Sequence, residues 1–145
     1  MTLKELKNTK GRLLGVDFGD SRTGLAISDP MRSLASGRET VRSTGLENTA
    51  RLVAEYAKAE GVSGIVVGLP KNMDGTEGER VEVTRDFGDK LHEFSGLPVV
   101  YMDERLSTVA AERMLIQADV RRDKRKKVID KVAACIILQN YLDSH

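Results

Sequence analysis

The chain has 145 residues, of which 40% are hydrophobic and 31% charged, a composition typical of a globular domain with its own core. Its 23 basic and 22 acidic residues nearly cancel, so net charge gives no information about nucleic-acid binding. One cysteine and two histidines exclude an internal disulfide and a zinc site of the usual ligands, and they argue against Ser-His-Asp or Cys-His catalysis.

We expect a single domain over residues 1–145, with residues 1–11 as a polar N-terminal extension. The segment MTLKELKNTK lacks the apolar centre of a signal peptide, and no apolar run approaches the roughly 20 residues that span a bilayer. The lone Cys135 lies in the apolar stretch AACIIL, which fits a reducing compartment. These features predict a cytoplasmic protein that makes no membrane contact.

The first third of the chain is predicted to form strands. RLLGVDF, from Arg12, is nearly continuously apolar, as expected of a central strand buried on both faces. GDSRT supplies turn residues before the apolar GLAISD, so the two segments predict a hairpin. A third strand is expected at Ser36–Arg42.

Helices and strands are predicted to alternate in the rest of the chain. LENTARLVAEYAKAEG and EGERVEVTRDFGDKLHEFSG each show an apolar helical face, and they end at Gly61 and Gly96. SGIVVGLP and LPVVYMDER predict buried strands. Ser107 is expected to cap a further helix reaching Met114, and VIDKVAACIILQNYL predicts the last helix.

This order of elements predicts an α/β fold: a mixed five-stranded sheet with an antiparallel leading hairpin and helices on both faces. Ligands bind such sheets at the carboxyl ends of the parallel strands. Four acids fall there: Asp17 ends the first strand, Asp103 and Glu104 end the last, and Asp130 is expected in the first turn of the final helix. If the first and last strands are neighbours, these carboxylates meet, and Mg²⁺ or Mn²⁺ prefers such oxygen ligands.

Each acid also has a purely structural interpretation. Asp17 could cap a loop, Asp103 and Glu104 could be ordinary charged strand ends, and the helix dipole favours any anion at position 130. The combination indicates a metal site more strongly than any single member does.

A basic segment, DVRRDKRKK, immediately precedes Asp130 and is expected to be a flexible loop that holds phosphates beside the acids. The alternative is a solvated linker between two helices. Its cations are Arg121, Arg122, Lys124, Arg125, Lys126 and Lys127.

Further candidates lie in the loop PKNMDGTEGER and after Glu104. Asn72 and Arg80 could bind phosphate or sugar oxygens, and Arg105 could contact phosphate.

Taken together, the motifs GVDFGDSRTGLAISD, GIVVGLPKNMDGTEG, YMDERLST and DKVAACIIL resemble the YqgF family of Holliday-junction resolvases and nucleases that mature the 5′ end of pre-16S ribosomal RNA. The resemblance covers nearly the whole chain from Leu13 to Leu142. It implies an RNase H-like fold and dependence on one or two Mg²⁺ or Mn²⁺ ions. It also implies catalytic and metal-binding roles for Asp17, Glu104 and Asp130, with Asp103 as a helper.

The resemblance therefore predicts a hydrolase of phosphodiester bonds, a monomer or homodimer that acts on structured RNA of the ribosomal precursor particle. The alternative within this class is a resolvase of branched DNA. From other classes, we consider a nucleotide binder of the actin or sugar-kinase type, which ordinarily needs two such domains, and a catalytically silent nucleic-acid binder.

Overall fold

The computed structural model of the protein describes residues 9–70, 77–103 and 122–144, and within 122–131 it describes the backbone alone. In chain order, the strands and helices of these residues are β1 (Leu13–Asp17), β2 (Arg22–Ser28), β3 (Ala35–Arg42), α1 (Leu46–Glu60), β4 (Gly64–Leu69), α2 (Glu79–Ser95), β5 (Val99–Asp103) and α3 (Arg122–Ser144).

The five strands form one mixed sheet in the order β3-β2-β1-β4-β5. β1 pairs antiparallel with β2, and β2 with β3, while β4 lies parallel to both β1 and β5. The predicted leading hairpin and mixed sheet are thus confirmed. The four acids were expected to meet if the first and last strands were neighbours. This condition is not met, because β4 lies between β1 and β5.

Helices cover both faces of the sheet, as predicted. One core lies between the sheet and α1 and α2, and it contains Leu14, Val16, Val53 and Phe87. The second core lies between the opposite face and α3. We call these the α1/α2 face and the α3 face. Within the described residues, no helix is long and apolar enough to cross a bilayer.

The glycines expected to end two helices do so. Gly61 and Gly96 have φ angles of 67° and 71°, in the left-handed region that glycine adopts without steric cost, and both donate backbone hydrogen bonds to the last turn.

The start of the last helix was predicted wrongly. α3 begins at Arg122 rather than Val128, so Asp130 lies in the third turn and the helix-dipole argument for it fails. The basic residues from Arg122 to Lys127 are helical rather than a flexible loop. Lysine and arginine are good helix formers, and no glycine or proline interrupts the segment. The helix predicted from Ser107 lies outside the described residues.

The hairpin of β2 and β3 contains a β-bulge. Ala26 pairs with Gly37, but Gly24 pairs with Thr40, so β3 has one extra residue between these two pairs. An extra residue reverses the face to which the following side chains point.

Candidate active site at the end of the first strand

Asp17 is the last residue of β1 and lies at the carboxyl edge, the edge at which the parallel strands β1, β4 and β5 end. Side chains alternate along β1: Leu14 and Val16 pack on the α1/α2 face, whereas Leu13 packs on the α3 face. Asp17 continues the second series, so its carboxylate points to the α3 face. The residue is only half-buried.

Gly15 lets α3 lie directly on β1 beside this aspartate. A Cβ at Gly15 would lie 2.7 Å from the Cβ of Leu138, closer than real Cβ atoms approach, and in a tight contact of 3.0 Å with the carbonyl oxygen of Ala134. Only glycine at this position therefore allows α3 to pack so close to β1. Asp130 precedes Ala134 by four residues, so its position is one turn earlier on the same side of the helix.

The direction of α3 follows from its contacts with β3. The side-chain amide of Gln139 donates to the carbonyl oxygen of Ser33 and accepts from the backbone N–H of Ala35. One turn earlier, the thiol of Cys135 donates to the carbonyl oxygen of Ala35. As α3 is followed backwards it advances along β3, which is parallel to β1. Its N-terminal half, with position 130, therefore extends towards the carboxyl edge.

The turn that follows Asp17 is too tight for a side chain at position 19. A Cβ at Gly19 would collide with the carbonyl oxygen of Arg22, so only glycine fits this tight turn. Arg80, from the first turn of α2, donates to the carbonyl oxygen of Phe18 at 2.8 Å and pairs with Asp20 at 2.5 Å. Its guanidinium also lies 5.3 Å from the centre of the Phe18 ring.

Ser43 holds the other side of the same turn. Its backbone N–H donates to the carbonyl oxygen of Ser21 at 2.9 Å, and its hydroxyl donates to the carbonyl oxygen of Gly19 at 2.7 Å. The same hydroxyl lies 2.9 Å from the hydroxyl of Thr23. Residues from α2 and from the end of β3 thus fix the turn, and with it the position of Asp17.

Asp103 ends β5 at the same edge but on the other face. Tyr101 donates its hydroxyl to the carbonyl oxygen of Arg85 in α2, and burial raises the pKa of Tyr101 to about 12. Asp103 follows Tyr101 by two residues, so both point to the α1/α2 face, opposite to Asp17. Of the two acids predicted at this strand end, Asp103 is therefore not on the face of Asp17.

Several predicted site residues lie outside the described part of the chain: Asn72, Glu104, Arg105 and Arg121. The backbone of Arg122, Lys124, Arg125, Lys126, Lys127 and Asp130 is described as helix, without their side chains. Among residues whose side chains are described, no three histidines, cysteines or acids cluster as a metal site would require. Because two of the three predicted ligands are not among them, the triad stays a prediction.

The structure gives Arg80 contacts within the protein that the sequence did not indicate, since it ties α2 to the turn after Asp17. It also brings together two arginines that sequence reasoning missed. Arg22 and Arg42 are cross-strand partners at the end of the β2–β3 hairpin. The two arginines face each other because of the bulge, and no pattern in the sequence predicts that bulge.

Comparison with known proteins agrees with this architecture. The family described as "RuvX: Holliday junction resolvase" matches residues 11–144. The chain belongs to the RuvX family. A relative from Streptococcus gordonii, named "Putative pre-16S rRNA nuclease", is 55% identical over 139 residues, which cover 91% of this chain and 97% of the relative. A relative of the same name from Streptococcus thermophilus is 54% identical over the same length.

Solved structures confirm the RNase H-like fold of this RuvX chain. RuvC from T. thermophilus in complex with a Holliday junction gives a TM-score of 0.55 at 14% identity, and the match covers 92% of this chain and 94% of that one. The fowlpox virus resolvase with Holliday junction DNA gives 0.56 at 15% identity, covering 92% and 97%. The predicted YqgF resemblance is confirmed, and the RuvX chain is a nuclease, a hydrolase of phosphodiester bonds.

Proposed function

We propose that this RuvX protein is a divalent-metal-dependent nuclease that matures the 5′ end of pre-16S ribosomal RNA in the cytoplasm. The observation that carries the proposal is the position of Asp17, a half-buried aspartate at the carboxyl edge on the face covered by the helix that bears Asp130. The substrate is taken from the names of relatives that share more than half of their residues with this chain over almost its full length.

The oxygen donors fit a hard divalent cation. Carboxylates at a half-exposed strand end suit Mg²⁺ or Mn²⁺, which keep several waters of their own. We assign Asp17, Glu104 and Asp130 as its ligands, the three acids to which the resemblance to the YqgF family gives catalytic roles. When bound, one or two such ions supply the Lewis acidity that polarises the phosphate and activates the attacking water.

The chain's own residues then orient the substrate. Arg80 and Ser43 hold the turn after Asp17, so the carboxylate does not have to be ordered when RNA binds. We assign phosphate contacts to Asn72, Arg105 and the basic N-terminal half of α3, whose positive charge neutralises the RNA backbone. Asp103, on the opposite face, is assigned a supporting role without direct contact to the ion held by Asp17.

A second candidate function is resolution of four-way DNA junctions. The family description names this activity, and two structural neighbours at 14–15% identity were solved with Holliday junctions, although such similarity shows the fold alone. Cutting two opposed strands favours a symmetric dimer. The oligomeric state, monomer or homodimer, therefore separates the two candidates.

The test is cleavage of two labelled substrates, a pre-16S 5′ leader RNA and a four-way DNA junction, with Mn²⁺ and with chelator. We expect metal-dependent cutting of the RNA by the wild type and none by Asp17→Asn. Junction cutting alone would support the resolvase instead. Binding of either substrate without cutting under any metal condition would contradict both and favour a catalytically silent binder.

A further inference from the structure

We propose that Arg22 and Arg42 form a phosphate-binding cleft that holds the RNA backbone next to the cleaved bond. The inference rests on the nuclease function proposed above and adds a binding site to it. The two residues line an open cleft of about 480 Å³ together with Ser21 and Thr40.

The pairing of the two arginines is itself unusual. They are direct cross-strand partners at the end of the antiparallel β2–β3 pair, a position at which like charges repel each other. The Arg42 side chain is exposed and forms no ion pair with another described residue. Two neighbouring guanidinium groups suit a phosphate, because each can donate hydrogen bonds to its oxygens.

The cleft lies on the face of Asp17. Leu25 and Ile27 are buried on the α1/α2 face of the sheet, so strand alternation directs Arg22 to the α3 face. Asp17 pairs with Gly24, which makes Arg22 its diagonal neighbour across the hairpin, with Cα atoms about 7–8 Å apart. Arg42 lies one strand further out on the same face because of the bulge.

The surroundings indicate a long polyanion rather than a small one. The N-terminal half of α3, with five lysines and arginines between Arg122 and Lys127, extends towards the same edge of the same face. A backbone that passes Asp17 would therefore have cations on both sides. The cleft is also preorganised. Ser43, the first residue after β3, forms hydrogen bonds with the turn that precedes Arg22.

The experiment measures binding of a labelled RNA oligonucleotide that spans the mature 5′ end, in chelator, over a range of salt concentrations. We expect Arg42→Gln to weaken binding about fivefold and Arg22→Gln/Arg42→Gln about tenfold or more. The slope of log affinity against log salt should fall by about 0.7 for each arginine removed, the value for single strands. Arg42→Lys keeps the charge and should recover most of the slope.

The matched control is Arg38→Gln, which removes the same charge from the same strand. Arg38 is exposed within the bulge and lines a different cleft with Ser28 and Asp29, so RNA affinity and salt slope should stay at wild-type values. Thermal melting of each variant checks the fold. Wild-type affinity and slope in Arg42→Gln, or an equal loss in Arg38→Gln, would overturn the proposal.

Further outcomes distinguish a failure of the proposed nuclease function from a failure of the phosphate-binding cleft. Arginine-dependent RNA binding without cleavage by the wild type would refute the proposed nuclease substrate and leave the cleft standing. Wild-type cleavage with unchanged binding by Arg42→Gln would refute the cleft alone. If millimolar inorganic phosphate raises the melting temperature of the wild type but not of Arg42→Gln, while RNA affinity is equal, the cleft binds a free anion and the proposal is wrong.

Discussion

Two aspartates follow apolar strands at the start of this chain, and they lie at opposite edges of the sheet. Asp17 ends LLGVD, and Asp29 directly follows RTGLAIS. Because β2 is antiparallel to β1, Asp29 lies at the edge where the parallel strands begin, away from the carboxyl edge. The strand's direction in the sheet, rather than the local sequence, distinguishes a candidate catalytic acid from a turn former.

The Asp29 carboxylate accepts hydrogen bonds from the turn that follows it. Its Oδ1 accepts the backbone N–H groups of Ser33 and Leu34, both at 2.8 Å, and its Oδ2 accepts the Ser33 hydroxyl at 2.8 Å. These bonds, that from Leu34 above all, lower the pKa of Asp29 to about 2. The turn after Asp17 is instead held by Ser43 and Arg80, which come from other elements.

The largest expected effect is on catalysis. Asp17→Asn should lower the rate of metal-dependent cleavage by at least about 100-fold, because a metal ligand is lost without a change in shape. Asp29→Asn should leave the rate unchanged. The measurement is single-turnover cleavage of the labelled leader RNA at saturating enzyme. Equal rates for the two variants would remove the functional distinction between the two edges.

The next effect is on stability at the face of Asp17. Gly15→Ala inserts a Cβ against Leu138 and Ala134 and should lower the free energy of unfolding by about 1–3 kcal/mol. Urea denaturation measures this change. Leu138→Gly removes the Cβ that the new methyl group meets, so the double variant should lose less than the sum of the two single variants. Strict additivity would show that α3 does not press on β1 at this point.

A smaller effect is expected from the arginine that holds the turn. Arg80→Gln should lower kcat about tenfold with little change in KM, because it loosens the turn after Asp17 without removing a ligand. Arg85→Gln is the matched control, since Arg85 lies further along the same helix and pairs with Glu77, which precedes the helix. A rise in KM with a reduced salt slope would instead indicate that Arg80 contacts phosphate, as the sequence suggested.

The smallest effect concerns Asp29 and pH. Its folded pKa is depressed below the ordinary 3.8, so its contribution to stability is present above about pH 4 and is lost as pH falls through about 2. Wild type should therefore melt at a higher temperature than Asp29→Asn at pH 6, and the difference should vanish near pH 2. A constant difference over this range would show that the carboxylate's ionisation is not involved.

Most of the fold could be predicted from the sequence because local signals and the fold agree. Gly61 and Gly96 end helices by a backbone conformation that other residues avoid, and alternating helices and strands dictate a layered sheet. The start of α3 could not be predicted in this way, because charged residues that form helices well also form solvated loops. The face of the sheet to which Asp103 points could be assigned only once the structure showed that β5 extends to this residue.

The Arg22–Arg42 pair shows why part of the site escapes sequence reasoning. Pairs from Ala26–Gly37 to Ser28–Ala35 have residue numbers that add to 63, and continuing that register would place Arg22 opposite Val41. The bulge changes the sum to 64, so Arg22 faces Arg42 instead. One added residue decides whether the two guanidinium groups share a face.

The same bulge determines which changes in chain length this hairpin tolerates. Deleting one residue between Gly37 and Thr40 would restore the uninterrupted register and reverse the faces of Thr40, Val41 and Arg42. The partly buried Val41 would then turn away from the core to which it contributes. In relatives of this chain, we therefore expect substitutions along β3 to be common and single-residue insertions or deletions there to be rare.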